Sequence, residues 1–247
     1  MSDKAGTIQR LASMAYISFV FVSSFFLFQI AALIWLLTIL FDKRLLVLHY
    51  YTMLWSALYI WIIPTWKVEV KGREKIDSGQ TYLMVSNHQS ALDVLLVPYL
   101  FVPFKWVSKA EIYKVPFIGW NMYLNRYIKL ERGLRKSIVN MMTKCEHSLR
   151  SGSSVYIFPE GTRSKDGRMK KFAPGAFILA KRTKVPILPL VISGTCDAMP
   201  KNSLNIDKTC KMNLTVLDPI DPSQFENMST ENLTELVQKR IENFLMG

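Results

Sequence analysis

From Leu11 to Phe41 the chain carries no Asp, Glu, Lys or Arg, and no other feature constrains its folding as tightly. The run is too long for the apolar region of a secretory leader, and no A-x-A cleavage pattern follows it. A hydrocarbon core about 30 Å thick is crossed by roughly 20 helical residues, so one span fits with residues left over. After Asp42-Lys43-Arg44 a second apolar run extends from Leu45 to Ile63 and stops at Pro64. Its aromatics, Tyr50, Tyr51, Trp55, Tyr59 and Trp61, are spread along its length, whereas a spanning helix gathers Trp and Tyr at the two interfaces. His49, Thr52, Ser56 and Tyr59 fall at helical spacing and make a mildly polar stripe. The pattern suits a helix lying at the membrane interface or folded back within one leaflet. Two ordinary spanning helices remain the other reading, and hydropathy does not separate them. Both return the chain to the side on which it began. Residues 1–65 are therefore expected to form a membrane-attachment hairpin, and 66–247 a separate α/β domain.

The 247-residue chain has a formal charge of +12, almost all of it contributed after Arg44. Such a domain attracts polyanions: phospholipid headgroups, an acidic carrier protein, or nucleic acid. No nucleic-acid motif accompanies the charge, and the basic residues are scattered, so no nucleic-acid partner is expected. Cys145, Cys196 and Cys210 form an odd set without CxxC, which points to reduced thiols in a cytoplasmic compartment and to neither disulfides nor a zinc site. The catalytic side is expected to face the cytoplasm.

From Trp66 short strand-like runs alternate with helical stretches. Strands are expected at Trp66–Lys71, Thr81–Val85, Phe104–Ser108, Tyr127–Leu130, Val155–Phe158 and Met212–Val216. Val185–Ile192 carries Pro186 and Pro189 and is expected as an edge or irregular strand. Helices are expected at Ser90–Tyr99, Gly133–Arg150, Ala176–Lys181 and Glu231–Met246, with a loop around Pro116 and Gly119. This alternation argues an α/β fold, a mixed sheet flanked by helices.

Four constellations carry chemistry. In Asn87-His88-Gln89-Ser90-Ala91-Leu92-Asp93 the His and Asp would stand about 140° apart on a regular helix. They meet only if His88 precedes the helix and Asp93 occupies its first turn. Asp93 could then orient one imidazole nitrogen while the other takes a proton from a hydroxyl. The same residues also make an S-x-x-D pattern in which Asp93 merely caps a helix start. The second constellation is Phe158-Pro159-Glu160-Gly161-Thr162-Arg163-Ser164, where Gly161 permits a tight turn and Arg163 offers a planar fork suited to phosphate. Lys165, Arg168, Lys170 and Lys171 add positive charge, although a solvated basic turn would look alike. The third ends a strand at Glu131-Arg132, and the fourth is Val185-Pro-Ile-Leu-Pro-Leu190.

Together and in this order, these blocks resemble the glycerolipid acyltransferase family, and within it the 1-acylglycerol-3-phosphate acyltransferases. Asn87-His88 through Asp93 is similar to the family's NHxxxxD motif (HX4D), Gly119–Arg132 to its second block, Phe158–Ser164 to FPEGTRS, and Val185–Leu190 to VPI-x-P. Lys109 matches the basic residue that this family places before P-x-x-G. Two departures are visible: Lys170-Lys171-Phe172-Ala173-Pro174-Gly175 replaces F-K-x-G, and Glu131-Arg132 stands where many relatives have Asp-Arg. Lys171 is expected to supply the contact of the missing lysine.

The resemblance implies direct transfer of an acyl group from acyl-ACP or acyl-CoA to the sn-2 hydroxyl of 1-acylglycerol 3-phosphate, giving phosphatidic acid. His88 would be the general base, oriented by Asp93. Lys109, Arg132, Glu160, Gly161, Thr162 and Arg163 would hold the phosphate, with an N–H such as that of Gly161 facing the developing oxyanion. No metal or other cofactor is expected. His49 and His147 are expected to be structural. Another glycerol-phosphate or lysophospholipid acceptor is the nearest alternative, and a non-catalytic membrane module that binds acidic lipids is the alternative from another class.

Overall fold

The structure, a computed structural model, describes residues 2–163, 169–200, 204 and 208–246. Ser164, Lys165 and Arg168 lie outside the described residues. The helices are α1 (Ser2–Thr38), α2 (Leu46–Trp61), α3 (Asp93–Leu96), α4 (Ile118–Leu124), α5 (Arg135–Arg150), α6 (Gly175–Thr183), α7 (Thr195–Ala198), α8 (Pro222–Phe225) and α9 (Thr230–Met246). The strands are β1 (Trp66–Lys71), β2 (Leu83–Ser86), β3 (Phe104–Lys109), β4 (Ile128–Leu130), β5 (Ser154–Ile157), β6 (Ile187–Ser193) and β7 (Cys210–Val216).

The strands form one mixed sheet in the order β1-β7-β6-β2-β5-β3-β4. Five strands, β2 to β6, run one way; β7 is antiparallel to β6, and β1 is parallel to β7. Alternate strand residues feed opposite faces, as the pleat requires. Met84, Tyr156, Leu190 and Leu214 pack on one face with Met53, Ala57 and Ile60 of α2 and Leu96 of α3. Leu83, Val85, Val155 and Val191 pack on the other, under α5, α6 and α9. Those covering helices bury apolar residues at i, i+4, i+8: Met141, Cys145 and Leu149 in α5, and Leu233, Val237 and Ile241 in α9.

Three expectations change. Val185–Ile192 yields an interior strand, not an edge one: β6 lies between β2 and β7. Pro189 is tolerated because the β7 ladder begins only at Leu190, opposite Val216. Pro189 contributes its carbonyl alone, which accepts the Leu217 N–H at 3.0 Å. The helix expected over Ser90–Tyr99 is only the single turn of α3, continued as a 3-10 turn through Val97–Leu100, where Pro98 removes a donor. The stretch expected as loop around Pro116 and Gly119 is a 3-10 turn, Ala110–Lys114, followed by α4. A Cβ on Gly119 would lie 2.3 Å from the Tyr113 carbonyl oxygen, so only glycine lets α4 approach that turn.

The two N-terminal helices pack against each other, and α2 also packs into the domain. Residues of the polar stripe of α2 hydrogen-bond to other parts of the protein. His49 pairs through Nδ1 with the Tyr127 hydroxyl at 2.7 Å, and its Nε2 accepts the Phe104 N–H at 3.2 Å, a structural role as expected. Thr52 accepts from Asn125, and the Tyr59 hydroxyl meets Ser24 at 2.8 Å and accepts from Trp55 Nε1 at 2.8 Å. Phe21, Phe25 and Phe28 of α1 close on Phe117, and Phe28 on Trp120 of α4. Leu11–Thr38, 28 residues, is long and apolar enough to cross a membrane. Its outer face, including Phe26, Leu33 and Leu37, is more than half exposed.

Candidate functional site

The predicted residues gather where loops leave the carboxyl ends of the parallel strands, the position at which open α/β sheets hold ligands. His88 follows β2, Glu160 to Arg163 follow β5, Lys109 ends β3, and Arg132 follows β4. Along that rim the order β2-β5-β3-β4 puts His88 at one side and the cations beyond it.

His88 stands before α3, and Asp93 begins it. His88 Nδ1 lies 2.7 Å from Asp93 Oδ2. The same oxygen accepts the backbone N–H groups of Gln89 at 2.7 Å and Ser90 at 3.0 Å. Orienting carboxylate and turn cap, set against each other as alternatives in the sequence, are therefore one residue doing both. Asp93 is wholly buried, whereas the His88 side chain is 14% exposed. With Nδ1 directed to a carboxylate, Nε2 is the edge left for chemistry, and it has no hydrogen-bond partner among the described residues. One face of the imidazole lies on the Phe158 ring, with centroids 4.0 Å apart and planes 17° from parallel. Phe158 in turn stacks on Trp106. Carboxylate and stack together leave the ring little freedom to rotate.

Glu160 reaches inward. Its Oε1 accepts the His88 N–H at 2.6 Å, and its Oε2 the Lys170 N–H at 3.0 Å. Burial raises its carboxyl pKa above the ordinary value; the two N–H donors and the nearby His88 and Lys170 charges act against that rise. Both oxygens are thus engaged by backbone, whereas the sequence grouped Glu160 with the phosphate contacts. The Gly161 N–H donates to the Phe158 carbonyl at 3.0 Å, closing the turn, so this N–H is not free for an oxyanion. Thr162 and Arg163 are exposed, and Lys170 Nζ donates to the Arg163 carbonyl at 3.1 Å. Lys109 pairs with Glu111 at 3.1 Å and remains 43% exposed. Arg132 is exposed; the Glu111 carboxyl is held below its ordinary pKa first by a hydrogen bond from its own backbone and by Lys109, with Arg132 adding a smaller effect. Lys171 is exposed at the far end of the same loop.

Sequence reasoning missed the other wall of the site. The Thr195 hydroxyl donates to Asp93 Oδ1 at 2.5 Å. Asn87 Nδ2 donates to the Ile192 carbonyl and Asn87 Oδ1 accepts the Ile192 N–H, both at 2.8 Å. The Ser90 hydroxyl donates to the Met199 carbonyl at 2.8 Å. The only signal in the chain was the Ser193-Gly194-Thr195 turn directly after the fourth block.

The acyltransferase family model matches residues 67–193, just over half of the chain. Among curated proteins, the chain is 35% identical over 191 residues to the chloroplastic 1-acyl-sn-glycerol-3-phosphate acyltransferase of Arabidopsis thaliana, covering 77% of this chain and 53% of that protein. It is 33% identical over 176 residues to the 1-acyl-sn-glycerol-3-phosphate acyltransferase of Saccharomyces cerevisiae, covering 70% and 56%. The Chlamydomonas reinhardtii protein of that name is 29% identical over 242 residues, covering 97% and 72%. The chain thus spans about half the length of the plant relatives it matches. The fold is shared with the crystal structure of the 1-acyl-sn-glycerophosphate acyltransferase of Thermotoga maritima, at a TM-score of 0.77, 23% identity and 96% coverage of both chains.

Proposed function

The chain belongs to the acyltransferase family, and from that premise we propose that it transfers a fatty acyl group from a thioester to the sn-2 hydroxyl of 1-acylglycerol 3-phosphate. The observation that carries the reading is the 2.7 Å contact between His88 Nδ1 and the buried Asp93 carboxylate, which turns Nε2 toward the rim. His88 Nε2 takes the hydroxyl proton as the oxygen attacks the thioester carbonyl. The C–O bond forms, the C–S bond breaks, and the departing thiolate takes the proton back from the imidazolium. Asp93 stabilises that imidazolium while the ring stays fixed. No enzyme nucleophile is required, because the substrate's alcohol fills that place.

Arg163, Arg132 and Lys109, exposed at or just beyond the ends of neighbouring strands, are the groups we assign to the phosphate, a dianion better matched by several cations than by one. Glu160 serves the same reading indirectly, by tethering the His88 backbone to the loop that carries Arg163. The donor is acyl-ACP or acyl-CoA. The exposed face of α1 supports attachment to the bilayer, where the acceptor and product reside, with the domain on the cytoplasmic side. Because α1 lies along α2, and α2 lies in the domain core, insertion of the hairpin into one leaflet fits better than two independent spans.

Purified protein offered 1-acylglycerol 3-phosphate, glycerol 3-phosphate and other lysophospholipids, each with acyl-ACP or acyl-CoA, should transfer the acyl group fastest to the first acceptor, giving phosphatidic acid. His88→Ala should lower that rate about a thousandfold. Phosphatidic acid formed equally well by His88→Ala would overturn the assignment of the base. No product with any acceptor would favour a lipid-binding module instead.

A further inference from the structure

Asp93 is wholly buried, and among the described residues no Lys or Arg pairs with it. What holds it is a ring of neutral donors in addition to His88. Three contacts converge on Oδ2 and come from its own loop: His88, Gln89 and Ser90. The contact on Oδ1 comes from Thr195, 102 residues later in the chain and itself fully buried.

Thr195 is placed by a specific piece of backbone. The end of β6 is locked to Asn87 by the two Ile192 bonds, immediately beside His88. Gly194 then turns the chain at a φ of +79°, and a Cβ there would sit 1.9 Å from the Lys211 carbonyl oxygen, so this turn requires glycine. The turn delivers Thr195 as the first residue of α7, and Ser90 binds the far end of α7 through the Met199 carbonyl. The His88 loop is thus fastened to the β6–α7 segment at Asn87, at Ser90 and at Asp93 itself.

We propose that Thr195 is a positioning residue for acyl transfer, fixing the Asp93 carboxylate so that Oδ2 faces His88. The inference rests on the reading of His88 as the base. The terminal torsion of an aspartate is broad and roughly two-fold, so hydrogen bonds rather than rotamer preference must choose its orientation. With a donor on Oδ1, the carboxylate cannot turn its plane without giving up a short contact. Without it, one buried oxygen lacks a partner, and the group can rotate to share its three loop donors between two oxygens. The imidazole would follow, and its Nε2 would leave the line of the acceptor hydroxyl.

The test is steady-state kinetics of Thr195→Val and Thr195→Ser in the full-length protein, with phosphatidic acid as readout and thermal midpoints recorded for each. Valine keeps the shape and removes the donor; serine keeps the donor. The expected result is a kcat lowered about a hundredfold in Thr195→Val, as for a misplacement near 1 Å. KM for the acceptor should be unchanged and Thr195→Ser should be restored to near wild type, the pattern of an interaction needed in the transition state. Thr195→Cys, whose thiol is a weak donor of similar size, carries the same comparison should the valine variant fail to fold, and its kcat should fall between those of serine and valine. A wild-type kcat in Thr195→Val, a loss confined to KM, or a serine variant as slow as valine overturns the proposal. His88→Ala, measured alongside, separates the two levels. If it keeps activity, the assignment of the base fails and this inference with it; if it is inactive while Thr195→Val is wild type, this inference alone fails.

Discussion

Both oxygens of Glu160 accept backbone N–H groups, one of them from His88 itself. Glutamine at this position keeps one acceptor and turns a donor toward the other N–H, so Glu160→Gln should lower acyl transfer at least about tenfold by loosening the base. The pH dependence of stability has a defined sign. Burial raises the folded-state pKa of Glu160 above its unfolded value. Its contribution is therefore fully present below the unfolded pKa and is lost as pH rises through the folded pKa. The difference in melting midpoint between wild type and Glu160→Gln should accordingly move in favour of wild type on acidification from pH 7, as melts at several pH values would check; a difference moving the other way would contradict the half-buried, inward-facing carboxylate. The His88–Asp93 pair was legible in the sequence because its five-residue spacing permits contact in one geometry only. The inward turn of Glu160 was not, because adjacency to Arg163 says nothing of where a side chain points. Thr195 was further out of reach, since no local pattern marks a hydroxyl that works on a carboxylate 102 residues away.

Among the elements, α4 depends on contacts that sequence periodicity does not encode. It begins just after Phe117, which holds a φ of +63° while its ring packs among three phenylalanines of α1. Gly119 then passes against the Tyr113 carbonyl at a distance that admits no side chain. Gly119→Ala should destabilise the protein by about 1–3 kcal/mol through overpacking, measured by denaturation in detergent, and should loosen the docking of α1 as well. An unchanged midpoint would mean that the turn beneath α4 can yield. The long amphipathic helices were readable from apolar spacing alone, as Met141, Cys145 and Leu149 illustrate. Strand β6 was readable as a strand but misplaced in the sheet. Two prolines suggest an edge, and only the register, with β7 joining at Leu190, shows how an interior position accommodates Pro189.

Across the whole molecule, the outer face of α1 is the largest departure from a water-soluble surface. Phe26, Leu33 and Leu37 stand 61%, 55% and 65% exposed and project at helical spacing. Replacing all three by glutamine should weaken vesicle partition about tenfold or more, given the apolar area involved, while leaving the detergent melting midpoint near wild type. Continued pelleting with membranes after an alkaline wash would show that another surface dominates. The apolar run was visible in the sequence, but its partition into one side against α2 and one side open was not, because that depends on where Tyr16, Tyr51 and Tyr59 find partners. The sheet order also sets a timetable. Strand β1 is paired along its length with β7, whose register joins Trp66 to Cys210. The first strand to leave the ribosome must therefore wait for the last, with the whole rim from His88 to Arg163 synthesised in between. Contacts so distant in sequence form slowly, and an unpaired strand invites association during that interval. Helices α1 and α2 emerge before any of it, so a nascent chain already held at a bilayer would complete its sheet there, kept apart from other unfinished copies.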